Sequence, residues 1–290
     1  MKTMRRWMIG LDNSLIDKVV IEYTSFLANI TKPEKIYFIN VQINLEIPES
    51  IKQKFPDLRK PLDEKIEAQM KEQVRANFHS YDNFDIEYKV IEGNPFDELL
   101  NWSNIKNIDL FISGRKKELK GSGILPNKLA RKAKCSILFI PEKPTLSLHE
   151  IFVPVDFSKT SENAFEVALD LAHKDEASTL YVQHVYYIPQ GYRQTRLEEE
   201  VATAMKEEVT EQYNKLLSKL YTNGTHLSPI FISDSAGRVA ELISENAHKR
   251  NADLIVMGHK GRTGAAALLM GSVTEKVLRT EEGIPVLVIK

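Results

Sequence analysis

The sequence predicts an α/β protein of two tandem doubly wound domains, each a Rossmann-like parallel sheet covered by helices on both faces. Three observations carry this reading. Short apolar runs alternate with amphipathic stretches along the whole chain, as parallel strands and crossover helices do. Landmarks of the first half recur in the second at a fixed offset: Asp12 and Asp156 (156 − 12 = 144), Val41 and Val185, Gly93 and Gly237, Asp109 and Asp253, Gly114 and Gly258. An offset held over five landmarks marks a tandem duplication. Finally, Pro141 to Leu148 holds two prolines and several polar residues, which separates domains at 1–145 and 146–290. Right-handed crossovers then place each ligand crevice at the carboxyl ends of the strands.

Each copy opens with an apolar strand that ends at an aspartate, Trp7 to Asp12 and Ile151 to Asp156. Helices follow over Ser14 to Ile30, with Val19, Tyr23, Phe26, Leu27 and Ile30 on one face, and over Thr160 to His173, with Phe165, Ala168, Leu169 and Ala172. The second strands are Lys35 to Val41 and Thr179 to Val185. Longer helices come next, marked by Leu62, Ile66, Met70, Val74 and Phe78 in one copy. In the other they are marked by Leu197, Val201, Met205, Val209, Tyr213, Leu216 and Leu220. Third strands lie near Phe84 to Val90 and Leu227 to Ile232, followed by helices over Asn94 to Trp102 and Arg238 to Arg250. The fourth strands end at Gly114 and Gly258, and the fifth are Ser136 to Ile140 and Pro285 to Ile289.

Composition excludes several classes of function. The chain has 290 residues, 42% hydrophobic and 27% charged, as soluble globular proteins do. A net charge of −1 gives no general electrostatic attraction to nucleic acid. No apolar run approaches the ~20 residues of a membrane helix, and Met1 to Leu11 is too short in apolar residues for a signal peptide. The single cysteine, Cys135, precedes the apolar Ile137 to Ile140 and reads as a buried thiol in a reducing compartment. The expected location is the cytoplasm, with no membrane and no nucleic-acid partner.

The chemistry concentrates between Met257 and Glu275. The apolar run Asp253 to Met257 reads as a buried strand, and Thr274 to Thr280 reads as a helix with Val273, Val277 and Leu278 at helical spacing. Between them stand Gly258, Gly261, Gly271 and Ser272: Gly-x2-Gly, nine residues, then Gly-Ser. Glycine lets backbone amides approach a phosphate closely, and a helix N-terminus offers unpaired donors with partial positive charge. The spacing is neither a Walker loop nor the Gly-x-Gly-x2-Gly dinucleotide fingerprint. A plain structural account is open as well, since Ser272 and Glu275 have the Ser-x-x-Glu spacing of a capping box.

This pattern resembles the ATP-binding branch of the universal stress protein family, and the resemblance covers both halves of the chain. It implies a nucleotide site in the second copy. Pro154, Val155 and Asp156 match the element that lies against adenosine, and Val185 matches the residue packed by the adenine. Met257, Gly258, Lys260 and Gly261 match the loop near ribose and phosphates. Gly271, Ser272, Val273 and Thr274 match the element that holds the phosphates. Lys260 departs from the family, standing where a histidine is often found, and a lysine there supplies charge. The resemblance also implies ATP, with magnesium carried on its phosphates, as cofactor. Because family members pair through their last strands, it implies an intramolecular pseudo-dimer, with further homodimers of tandem chains and an unidentified protein partner open. Aspartate Asp156 has a plain alternative as a helix cap, although Ser158 or Thr160 can fill that role.

The first copy departs from the motif. Lys117 takes the place of the second glycine, and Ser122-Gly123 inverts Gly271-Ser272. The loop shortens from 13 positions (271 − 258) to 8 (122 − 114). Arg115, Lys116, Lys117 and Lys120 read as a solvated basic loop, and the copy as a structural or regulatory partner. No metal motif or hydrolase nucleophile occurs, so no catalytic residue is assigned. His184 reads as a satisfied core histidine, while His259 sits in the glycine loop within reach of a ligand. Three functions follow: a nucleotide-binding stress-response protein, a slow ATPase using Asp156 and His259, or a ligand-free interaction protein whose motif is only a cap.

Overall fold

The computed structural model describes residues 4–46, 48–54, 61–115, 124–174, 178–188, 191, 198–222, 224–261 and 270–290. The chain divides after Pro144 into two compact units. In the first, β1 (Arg6–Gly10), α1 (Ile16–Thr31), β2 (Lys35–Gln42), α2 (Glu49–Lys54), α3 (Leu62–Asn77), β3 (Ile86–Glu92), α4 (Pro95–Ile105), β4 (Leu110–Gly114), α5 (Ile124–Lys132) and β5 (Ser136–Ile140) follow in order. The second contains β6 (Glu150–Pro154), α6 (Lys159–His173), β7 (Thr179–Tyr187), α7 (Glu198–Leu217), β8 (His226–Asp234), α8 (Val239–Lys249), β9 (Leu254–Gly258), α9 (Ser272–Thr280) and β10 (Val286–Ile289).

Within the first unit the strand order is β3-β2-β1-β4-β5, and within the second β8-β7-β6-β9-β10. Every pairing inside each unit is parallel. The chain runs outward from β1 or β6 in one direction, then returns to the other side of the same strand. That reversal is the topological switch point, and the crevice it opens lies beside the ends of β6 and β9 in the second unit. All residues of β5, β9 and β10 are buried, which is why they read as unbroken apolar runs rather than alternating ones. The outer strands β3 and β8 are only partly buried, and β8 accommodates Pro229 because its far side has no neighbour within the unit.

The duplication reaches down to single hydrogen bonds. Leu11 N–H donates to Ile39 O at 2.9 Å, and Val155 N–H donates to Gln183 O at 2.8 Å. Asp109 Oδ2 accepts from Arg6 N–H at 2.9 Å, and Asp253 Oδ2 accepts from Glu150 N–H at 3.1 Å. Left-handed backbone recurs at Asn13 and Phe157 (φ 60° in both) and at Asn107 and Asn251 (φ 49° and 50°). The asparagines tolerate this conformation, whereas a bulky aromatic such as Phe157 adopts it only where its surroundings impose it.

Several boundaries differ from expectation. Helix α1 starts at Ile16, not Ser14, because the Asp17 carboxylate accepts from the amides of Asp12 (3.1 Å) and Asn13 (2.8 Å) and organises the preceding turn. Its buried stripe runs through Ile16, Val20, Tyr23 and Leu27, while Val19, Phe26 and Ile30 are half-buried. Asn94 is the cap of α4 rather than its first residue: its Oδ1 accepts from Phe96 N–H at 3.0 Å, with Pro95 at the first helical position. Helix α2 is an element that the sequence pattern does not predict. Leu197 lies outside the described residues. Cys135 is buried and in no disulfide, as expected.

Two outcomes test these constraints. Asp253→Ala, which strips the acceptor from Glu150 N–H and Ser147 Oγ–H, should destabilise the second unit by about 1–3 kcal/mol. A urea titration of both proteins reads this as a lower midpoint for that unit. Separately, Lys276 of α9 hydrogen-bonds Glu241 of α8 and holds its carboxyl below the usual range, helped by a backbone amide. A folded pKa below the unfolded one means that the added stability is present above about pH 4.5 and lost as pH falls through the lower folded value. Melting temperatures of Glu241→Gln should therefore depend less on pH than wild type between about pH 5 and pH 3.

Candidate functional site

The switch point of the second unit holds a crevice of about 230 Å³ at the carboxyl end of the strands. That is just below the roughly 300–1,000 Å³ usual for small-molecule sites, so it takes a small ligand or one end of a larger one. Three structural groups form its walls. From β6 and the turn after it come Pro154, Val155 and Asp156; from β7 comes Val185. From the end of β9 come Met257, Gly258, Lys260 and Gly261; from the start of α9 come Gly271, Ser272, Val273 and Thr274. All twelve residues singled out from the sequence thus border one space. Four others were missed: Ser161 of α6, Gln183 of β7, and Val239 and Ile243 of α8.

The turn after β6 is built around Asp156. Its Oδ1 accepts from Ser158 N–H at 3.0 Å and from Ser158 Oγ–H at 2.5 Å. Ser158 is the N-cap of α6, with its Oγ accepting from Ser161 N–H at 3.3 Å. Asp156 therefore orients the cap and is not the cap itself. Its own amide donates to Ser161 Oγ at 3.3 Å. The other carboxylate oxygen faces Gly261: a Cβ at that position would lie 2.5 Å from Asp156 Oδ2. A side chain at 261 would have to displace the carboxylate.

The three glycines have different reasons to be glycine. At Gly258 a Cβ would come within 2.8 Å of the Thr160 backbone in the first turn of α6. Gly114, its counterpart, is pressed in the same way by Ile16 and Val20 of α1. Close strand–helix packing explains this glycine in both copies. Gly261 and Gly271 are peculiar to the second. A Cβ on Gly271 would reach ordinary contact distance, 3.4–3.5 Å, from Lys260 and Gly261 backbone atoms, so it is the more tolerant of the two.

Hydrogen bonds join the two ends of the glycine loop. Gly271 N–H donates to His259 O at 2.8 Å, Thr274 Oγ–H donates to Gly258 O at 2.8 Å, and Thr160 Oγ–H donates to Lys260 O. Gly271, in extended conformation (φ −65°, ψ 143°), is the N-cap of α9, and Glu275 N–H donates to its carbonyl at 2.9 Å. Ser272 is then the first residue of the helix and is exposed, so the expected Ser272–Glu275 capping box does not form. The amides of Ser272, Val273 and Thr274 open the helix, where no carbonyl of the same helix reaches them. They border the crevice and give it a donor-rich, electropositive end.

The histidines separate. His184 is buried on β7, donates from Nδ1 to Val155 O at 2.7 Å and packs on Phe157 with ring centroids 4.5 Å apart. It is the core histidine expected. His259 directs Nδ1 to Ile289 O at 3.1 Å and does not border the crevice, so its expected reach toward a ligand is not what the structure shows. Pairing of its ring with the end of β10 is the physical reason.

At the matching place in the first unit, Asp17 stands where the second has Ser161, and Ile39 where it has Gln183. Asp17 is 2% exposed, so a carboxylate replaces a hydroxyl beside the turn after the first strand. Lys116, Lys117, Lys120, Ser122 and Gly123 lie outside the described residues. Among the described residues no group of three or more His, Cys, Asp or Glu gathers as a metal site, and no helix is long and apolar enough to cross a membrane.

A model of the universal stress protein family matches residues 148–290. Two universal stress proteins of Methanocaldococcus jannaschii are similar to the chain. One is 32% identical over 142 residues, 49% of this chain and 81% of the relative. The other is 27% identical over 156 residues, 49% of this chain and 94% of the relative. A universal stress protein from Archaeoglobus fulgidus has a similar fold over 99% of this chain and 98% of its own, with a TM-score of 0.66 and 19% identity. With one relative 32% identical and matched over 81% of its length, the chain belongs to the universal stress protein family.

Proposed function

We propose that the second unit binds an adenine nucleotide, and that the protein is a cytoplasmic stress-response regulator whose state follows that nucleotide. The observation that carries this is the pairing of a glycine-bounded turn, Gly258 to Gly261, with the amide end of α9 across one crevice. Aliphatic side chains of Val155, Val185, Val239 and Ile243 offer a base the apolar surface it needs. The helix end contributes only ~0.3–1 kcal/mol of dipole attraction to an anion, so phosphate binding rests on several amides and hydroxyls together. Magnesium would arrive on the phosphates, and Asp156 is the only carboxylate among the described crevice residues. The first unit, with Asp17 and Ile39 in place of Ser161 and Gln183, serves as a partner that does not take the nucleotide. Binding rather than turnover is favoured, since the ring of His259 is engaged by Ile289 O and no paired acid and base faces the crevice among the described residues.

Thermal unfolding with and without magnesium and ATP tests the reading. At ligand about 100-fold above its dissociation constant, binding adds about 2.7 kcal/mol to the unit that holds it. Gly261→Glu and Gly271→Glu should lose this shift, and Lys117→Glu should keep it. A shift absent from wild type, or retained by Gly261→Glu, overturns the site. Phosphate release by the bound protein, measured on the same samples, should stay at the buffer rate; release above it would make the protein an ATPase.

A further inference from the structure

Gln183 sits in the middle of β7, level with Pro154 on one side and Ile230 on the other. Its backbone carbonyl accepts from Val155 N–H, so the main chain at this point is fixed. Its side chain is 1% exposed, and neither the amide nitrogen nor the amide oxygen has a hydrogen-bond partner. A primary amide brings two donors and an acceptor, and burying them unpaired opposes folding. The fold does not require it. Ile39, at the same place in the first unit, is also 1% exposed and fills the position with an aliphatic side chain. A costly polar group therefore occurs only in the copy that keeps the glycine turn, and Gln183 borders that copy's crevice.

Its position within the crevice narrows the role. Strand β7 is two strands from β9, and neighbouring strands are about 4.8 Å apart, so Gln183 is roughly 10 Å from the glycine turn. Val155, Val185, Val239 and Ile243 border the same crevice and suit the faces of a flat ring. A carboxamide sets a donor beside an acceptor, the complement of an adenine edge that sets an amine beside a ring nitrogen. We infer that Gln183 is a specificity-determining residue that pairs through its side-chain amide with the hydrogen-bonding edge of the base. This rests on the nucleotide reading above. Pairing requires a change of side-chain torsions and no movement of the strand.

The test combines a protein change with a ligand change. Titration calorimetry measures ATP, and purine riboside triphosphate lacking the exocyclic amine, against wild type, Gln183→Leu and Gln183→Met. Wild type should prefer ATP by about tenfold or more, as sites built to pair a polar group do. Both variants should bind ATP at least about tenfold more weakly than wild type and should no longer distinguish the two ligands. Without ligand, their melting temperatures should equal or exceed that of wild type, since an unpaired amide has been replaced by apolar atoms. Wild-type affinity for ATP in the variants, or undiminished preference for the amine, overturns this assignment alone. Lower melting temperatures in both ligand-free variants overturn it too, because they would mean that the amide has a structural partner. Absence of ATP binding by wild type overturns the nucleotide reading and this assignment with it.

Discussion

The absence of a side chain at Gly261 lets the turn after β6 and the turn after β9 occupy adjoining space. Asp156 Oδ2 fills the volume that a Cβ would take, while Oδ1 holds the cap of α6 through Ser158. From there the constraint spreads. Ser158 fixes the first turn of α6, Thr160 of that turn reaches Lys260 O, and Thr274 of α9 reaches Gly258 O. Two helices and two strand ends are thus registered by contacts internal to the protein. A crevice arranged this way spends little on ordering itself when a ligand arrives, which is the advantage of preorganisation.

A duplicated chain carries its own control. Features present in both copies answer to the fold: Gly114 and Gly258 admit a helix, Asp109 and Asp253 tie the fourth strand to the first, and Asn107 and Asn251 turn the chain after a helix. Features present in one copy have no such excuse. Ser161 against Asp17, Gln183 against Ile39, and Gly261 against Lys117 all change the chemistry of the crevice while leaving the sheet intact. That division separates Gly258, whose close helix packing recurs at Gly114, from Gly261 and Gln183, which stand opposite Lys117 and Ile39 in the first copy.

How much of this was legible in the sequence depended on the range of the forces involved. Strands buried on both faces announce themselves as apolar runs, and the constant offset fixed which run matched which. The twelve crevice residues came from motif and resemblance. What escaped was decided by contacts distant in sequence. Ser272 and Glu275 have the spacing of a capping box, yet the hydrogen bond from Gly271 N–H to His259 O sets the helix start one residue earlier. Val239 and Ile243 border the crevice because α8 packs beside α9, which no local pattern reveals. Gln183 did carry a signal, a polar residue within a buried strand opposite an isoleucine in the sister copy, but it has meaning only once the register of β6 and β7 is known.

The same geometry constrains how an anion would lie in the crevice. A carboxylate beside Gly261 repels negative charge, and its other oxygen is held by the Ser158 donors. Phosphates are therefore disfavoured against Asp156 and favoured at Ser272 to Thr274, where amides point outward from α9. Hydroxyl groups behave in the opposite way, since a carboxylate accepts from them strongly. A ligand with hydroxyls in its middle, an anion at one end and a hydrogen-bonding ring at the other would meet Asp156, the α9 amides and Gln183 in that order of fit. A nucleotide has that sequence of groups, whereas a bare polyphosphate has only the first requirement of the helix end and nothing for the carboxylate or the amide.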